Sequence, residues 1–413
     1  MNRTYDVLVV GGGASGMMAA GRAAVLGKRV LLIEKNKRLG EKLRISGGGR
    51  CNITNAETDE HKLLKNYGTA EQFLYSTFAQ FGVKDTFAFF ESHGLPLVVQ
   101  AGKRAFPQTE RAEDVCRVLE AYIRKSGVDV RADAPVAKVL MDRGEITGVQ
   151  AGGVTYTATN YLFATGGVSH PETGSTGDGF NWLRALGHEV VKPTPTIVPL
   201  SVPDQWVRDL AGISLSPMKI TFFVDGKKDF SLNGKVLFTH FGLSGPLILN
   251  SAKKVADLMY DGVVTATIDS CPQTDLGALD KKLIAIFDAN KNKIFKNIIK
   301  DFAPEGIHKG IATLLAGQMD IGVKVHSVSK EDRKRIVHLL KALPMTIEGL
   351  MGFDRAVVAD GGVPLSEIDT KTMRSKVVPN LFVTGDLLHI NRPSGGYSLQ
   401  LCWTTGYVAG SNA

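Results

Sequence analysis

"YDVLVVGGGASGMMAAGRAAVLGKRVLLIE", residues 5–34, decides the fold. Residues 5–10 form an unbroken apolar run, as a strand buried on both faces requires. Residues 14–27 read as a helix that stops at Gly27, and "RVLLIE" at 29–34 as a second buried strand. Between the first strand and the helix, Gly11, Gly13 and Gly16 have the spacing GxGxxG. Gly11 permits a tight turn, Gly13 lets a pyrophosphate approach, and Gly16 allows close packing of helix on strand. With Ala14 and Ser15 they place free N–H groups at a helix start, where phosphate is stabilised. Glu34, closing the second strand, can accept hydrogen bonds from a ribose diol. Its charge would repel a 2′-phosphate, so NADP is not expected as the resident nucleotide. The stretch predicts a Rossmann-like α/β unit that binds a dinucleotide, NAD or FAD.

Outward from this opening, residues 71–93 and 110–126 are helix candidates. "PVAKVLM", "EITGVQA" and "VTYTA" alternate like strands, and "YLFATGG" (161–167) is a further buried strand. Pro193, Pro195, Pro199 and Pro203 then space out an extended crossover. Beyond it, "MKITFFVDGKKDFSL" turns at Asp225-Gly226 like a hairpin, and "KVLFTH" and "VVTATID" continue an antiparallel, barrel-like unit. The period changes to helical over 273–343, where Ile336, Leu339, Leu340 and Leu343 make an i, i+3, i+4, i+7 stripe. The expected division is 1–192 for the first part of the dinucleotide-binding domain, 193–272 for the β unit, 273–343 for a small helical insert, 344–365 for strands returning to the β unit, and 366–413 for the last part of the first domain.

Of 413 residues, 49 are Lys or Arg and 41 are Asp or Glu, a net charge of +8. Residues 273–343 hold 13 basic against 8 acidic residues, and these lysines fall between apolar helical positions. A solvated helix face accounts for that pattern better than a groove for phosphate backbone, so a nucleic-acid partner is not expected. No apolar run is long enough to cross a bilayer, and the first residues lack a signal-peptide pattern, so a cytoplasmic location is expected. Cys51, Cys116, Cys271 and Cys402 have neither CxxC nor zinc-ligand spacing, and no metal site is expected.

Taken together, GxGxxG, "GGGRCNITN" (47–55), "ATGG" (164–167), "LFTHFGLSGP" (237–246) and "GDLLHINRPSGGYSLQ" (385–400) resemble bacterial NAD(P)/FAD-dependent oxidoreductases. These are flavoproteins of the glutathione-reductase type, a family that includes 3-dehydro-bile-acid reductase and aminoacetone oxidase. The resemblance spans nearly the whole chain and implies FAD as the bound cofactor. It implies that Gly11, Gly13, Ala14, Ser15 and Gly16 hold the pyrophosphate, that Glu34 and Lys35 hold the adenosine ribose, and that Val136 lies beside the adenine. Thr165, Gly166 and Gly167 would mark the chain's return past the cofactor, Asp386 would meet the ribityl hydroxyls, and Gly395, Gly396, Tyr397 and Ser398 the pyrimidine end of the flavin. Lys42, Ser46, Gly47, Gly49, Arg50, Cys51 and Asn52 make up the second glycine-rich segment expected to touch the cofactor. There Gly47 to Gly49 bring the backbone close, Arg50 and Asn52 offer donors, and Cys51 packs as a small residue. The chain departs from the family pattern, which more often has Glu at position 386, Asp at 389 and Asn at 398. His389 in place of an acid bears on substrate preference more than on FAD.

With one dinucleotide fingerprint rather than two, NAD(P)H could serve only as a transient donor. The expected activity is oxidoreduction of a small or medium organic substrate, either NAD(P)H-dependent reduction of an activated C=C bond or amine oxidation by O₂. An RNA-modifying flavoprotein is the competing reading. His240, His389 and Tyr397 are the candidates for moving a proton, with His240 preferred, and Arg50 is a further candidate at the reacting end. The sequence carries no signal of oligomeric state.

Overall fold

The computed structural model describes residues 5–413. The described residues divide into two compact units, 5–195 with 353–413, and 196–352. The first boundary falls inside the proline-spaced stretch.

The first unit is built on a five-stranded sheet in the order Leu381–Val383, Ala158–Phe163, Tyr5–Val10, Val30–Ile33, Asp129–Arg131, with every pairing parallel. Val7, Leu8, Val9, Leu31 and Leu32 are wholly buried, as strands covered on both faces must be. The helix Ala14–Val25 follows the first strand, and the helix Tyr397–Asn412 closes the chain. These two helices meet backbone to backbone. A Cβ added at Gly406 would lie 2.4 Å from the Ser15 carbonyl oxygen, and one at Gly410 would lie 2.3 Å from that of Ala19. The strands Val136–Asp142, Glu145–Ala151 and Val154–Tyr156 form the anticipated antiparallel meander.

Two local features depart from expectation. Residues 71–93 are two helices, Glu71–Phe78 and Val83–Ser92. Gly82 caps the second in an extended conformation, its N–H donating to the Asp85 carboxylate at 2.8 Å. A small sheet of Thr54–Asn55, Arg104–Pro107 and Leu97–Gln100 was not anticipated, because strands of two to four residues carry almost no periodicity.

The second unit has a seven-stranded sheet in the order Leu343–Thr346, Val264–Asp269, Ser214–Val224, Lys227–Thr239, Gly242–Ser244, Leu200–Ser201, Gly349–Leu350. Its two edge strands are consecutive in sequence. In the link between them, the Ile347 N–H donates to the Val264 oxygen and the Glu348 N–H to the Ser201 oxygen. The sheet therefore bends round until one short stretch bridges both edges, which protects them from further pairing. Helices between Leu276 and Lys341 pack Leu283, Phe295, Ile298, Ile311 and Ile336 into the same core. The segment 344–365, expected to return wholly to this sheet, is split. Residues up to 352 stay with it, whereas Val358–Gly362 lies in the first unit, against Pro193.

Candidate cofactor site

In a parallel sheet of this kind, ligands bind outside the carboxyl ends of the strands. Four of those ends converge here. After Val10 the chain turns through Gly11, where φ is +103° and an added Cβ would lie 2.5 Å from the Ala164 oxygen at the end of a neighbouring strand. A Cβ on Gly16 would lie 1.9 Å from the Gly11 oxygen. These two glycines are therefore demanded by the chain itself. Gly13 is not. Its φ of −79° and ψ of −167° suit any residue, and a Cβ there would meet nothing within 4 Å. The room it leaves lies at the start of a helix that has no side-chain cap and no acid in its first turn. Unshared N–H groups beside vacant space fit a pyrophosphate, so the residues present suit FAD.

Glu34 is buried, and its carboxylate accepts from the Gly12 N–H at 2.7 Å and the Asn36 N–H at 2.8 Å. Those bonds fix its orientation and leave each oxygen a lone pair for a ribose hydroxyl. Thr384 and Gly385 reach the same corner. The Thr384 hydroxyl donates to Ser15 Oγ at 3.3 Å, and a Cβ on Gly385 would lie 3.0 Å from that Oγ. Gly166 has φ +72°, and Gly167 lies against Asp386, so Thr165 to Gly167 join the cluster.

Asp386 is the electrostatic centre of this corner. The buried Arg392 donates from Nη2 to its Oδ1, and Lys42 Nζ stands 3.5 Å from its Oδ2 while donating to Ser169 Oγ at 2.6 Å. Burial works to raise the Asp386 carboxyl, but the charges and hydrogen bonds of Arg392 and Lys42 outweigh it and hold the group below the ordinary carboxylate range. Arg392 also donates from Nε to Ser398 Oγ at 3.1 Å and from Nη1 to the Ile390 oxygen at 2.7 Å. Sequence reasoning passed over this arginine. The only available signal was a charged residue inside the glycine-rich stretch between Asp386 and Gly395.

The segment 47–55 meets the start of the closing helix. Gly47, Gly48 and Gly49 have φ of +58°, +68° and +83°, and a Cβ on Gly48 or Gly49 would point into open space. Asn52 accepts from the Gly396 N–H at 3.0 Å and donates to the oxygens of Thr54 and Ala105, so it serves as scaffold. Asn55 Nδ2 donates to the Gly395 oxygen at 3.1 Å. Cys51 is fully buried, and burial pushes its thiol up to about 12, consistent with a packing role. Ser46 accepts from the Cys51 N–H and donates to the Leu43 oxygen. The closing helix, like the first, lacks a side-chain cap and a first-turn acid.

Arg50 donates to Gln100 and Glu110 at 2.6 Å and lies 4.3 Å over the Phe106 ring, while its buried Nε has no acceptor among the described residues. Lys35 is held by Thr176 and Asp178. Val136 is half-buried at the start of the antiparallel meander. Tyr397 accepts through its carbonyl from the Tyr67 hydroxyl at 2.9 Å, and burial pushes its phenol upward. His389 Nε2 is 3.3 Å from the Asp360 carboxylate. His240 belongs to the second unit, exposed on the turn between Lys227–Thr239 and Gly242–Ser244.

Comparison with known proteins agrees with this geometry. A family model described as HI0933-like protein Rossmann domain matches residues 5–412. A 3-dehydro-bile acid delta(4,6)-reductase of Clostridium scindens is 27% identical over 100% of this chain and 99% of its own. A ribosomal RNA dihydrouridine synthase of Haemophilus influenzae is 28% identical over 99% and 98%. The solved 3-ketosteroid-delta4-(5alpha)-dehydrogenase of Rhodococcus jostii, 14% identical, superposes with a TM-score of 0.54 over 99% of this chain and 96% of that one, and so shares its fold.

Proposed function

This chain belongs to the HI0933-like Rossmann family of FAD-dependent oxidoreductases, and from that premise we propose that it reduces a carbon–carbon double bond conjugated to a carbonyl. One observation carries the reading. The two full-length relatives named above act, by their names, on a bile acid and on ribosomal RNA, yet the reactions share one chemistry. A delta(4,6)-reductase acts on double bonds in line with a 3-oxo group, and dihydrouridine is uridine with the ring double bond beside its carbonyl reduced.

FAD, when bound, supplies the two-electron carrier. The protein positions it through Gly11 to Gly16 and Glu34 at the nucleotide end, and through Asp386 and the first turn of the closing helix at the other. NAD(P)H is the donor in this reading. Its hydride equivalent reaches the β carbon of the substrate, a proton adds at the α carbon, and NAD(P)⁺ leaves. H240A tests the source of that proton: the flavin spectrum should be retained, since His240 lies in the second unit, and unchanged turnover would remove His240 as the donor.

The test is anaerobic. Flavin in the reconstituted protein should bleach on mixing with NADH or NADPH and recover its colour when a 4-en-3-oxo steroid or a uridine-containing RNA is added. No bleaching with either nucleotide, together with reduction by an amine and reoxidation by O₂, would replace the reading with an amine oxidase.

An RNA substrate is the second form of this reading. Lys296 and Lys300 on the helix Phe295–Phe302 are exposed, and no acid pairs with them among the described residues. RNA recovery of colour that fades steeply with salt would favour this form, and recovery by the steroid alone would dismiss it.

A further inference from the structure

The segment from Gly385 to Ser398 links the strand Leu381–Val383 to the closing helix, with one short 3-10 turn as its regular structure. Val363 bonds its first half through the Leu387 oxygen and the His389 N–H, and Asn55 and Asn52 hold Gly395 and Gly396 near its end. Inside it lies Arg392, whose side chain is 1% exposed. A guanidinium removed from water is tolerated only when its donors are met. Here Nη2 goes to Asp386 near the start of the segment, Nη1 to the Ile390 oxygen in its middle, and Nε to Ser398 in the first turn of the helix that ends it. One side chain thus ties together the two ends of its own loop.

The two ends it ties are the two residues turned toward the cofactor corner. Asp386 touches Gly167 and faces Lys42, and Ser398 lies in the uncapped first turn of the closing helix. At Asp386 itself, Arg392 and Lys42 set two positive charges against its one negative, with the exposed Glu172 beyond Lys42, and of these charges the Arg392 guanidinium is the one removed from bulk solvent. A helix start adds to it in the same sense.

We propose that Arg392 is the positioning residue for the flavin half of FAD: it sets the spacing between Asp386 and Ser398 and supplies the positive charge that favours the reduced, more electron-rich state of the bound flavin. The proposal rests on the flavoenzyme reading but not on the identity of the substrate. Holding charge and geometry in one group is a task for arginine, whose planar fork reaches three acceptors where a lysine ammonium reaches fewer in fixed directions.

Two variants separate the parts. R392M removes both the fork and the charge, and R392K removes only the fork. FAD affinity, measured by flavin fluorescence on titration of the apoprotein, should weaken at least tenfold in R392M and by less in R392K. The midpoint potential of the bound flavin, measured by dye equilibration after chemical reduction, should fall in R392M and stay near the parent value in R392K. Loss of packing alone would weaken affinity without moving the potential, so an unmoved potential in R392M overturns the proposal. Should R392M fail to fold, R392K decides: unchanged affinity for FAD shows that the fork is not needed, and overturns it. Neither measurement uses NAD(P)H or substrate, so failure of the proposed reaction would leave this test intact. Failure of the parent protein to take up FAD would instead sink the functional reading.

Discussion

At the scale of single residues, the sequence is most legible where chemistry leaves no choice and least legible where partners lie far apart. Gly11 and Gly16 could be assigned from spacing alone, because a turn and a helix–strand contact each exclude a Cβ. Gly13 needed the structure to show that no atom of the protein requires it to be glycine. That makes it a clean probe. G13A should change the stability of the apoprotein by less than about 1 kcal/mol, as for Gly-to-Ala at a compatible backbone. FAD affinity should nonetheless fall at least tenfold, and thermal melts with and without FAD would separate the two effects. The partners of Arg50, Gln100 and Glu110, stand 50 and 60 positions away, and no sequence pattern ties them to it. Asp386 gives a pH prediction. Its carboxyl is depressed in the folded protein, so its contribution to stability is complete above the ordinary Asp range near about pH 4 and is lost as pH falls through its folded value. Acid unfolding of D386N should therefore show a shallower loss of stability in that window than the parent, when followed by circular dichroism.

At the scale of elements, long periodic segments were readable and short ones were not. The first strand, first helix and second strand matched their pattern because each buries a continuous apolar surface. The break at Gly82 was hidden because apolar residues continue on both sides of it. The contact between the first and closing helices was hidden for another reason: Gly406 and Gly410, four apart, look like poor helix formers until a second backbone is laid against them. That contact predicts a large effect from a small change. G406A places a methyl 2.4 Å from the Ser15 carbonyl oxygen, in a helix where alanine would otherwise be favourable. It should cost about 1–3 kcal/mol through overpacking, read by urea denaturation. Since the displaced atom belongs to Ser15, FAD affinity should fall as well.

At the scale of the whole chain, the proline-spaced stretch holds the division near residue 195, and the helices expected as a separate insert at 273–343 share one unit and one core with the β strands. The return boundary was not legible, because residues 344–365 read as one run of strands while their pairing partners lie in different units. Barrel-like closure was expected from short antiparallel strands, but the means of closure, a two-residue link between consecutive edge strands, depends on pairings distant in sequence. Family membership rests on motifs distributed over residues 5–412, so it survives such local misreadings.

The glycine contacts between the two helices have one more consequence. Gly406 meets Ser15 and Gly410 meets Ala19, so both helices run in the same direction, locked in register. Ser15 is the second residue of its helix and Gly406 the tenth of the other, so the closing helix begins about 12 Å further out, at 1.5 Å per residue. The protein thus holds a molecular ruler with a positive mark at each end. A nucleotide long enough to span both marks is anchored twice, whereas a flavin mononucleotide, carrying a single phosphate on a shorter body, would satisfy one mark and leave the other to water.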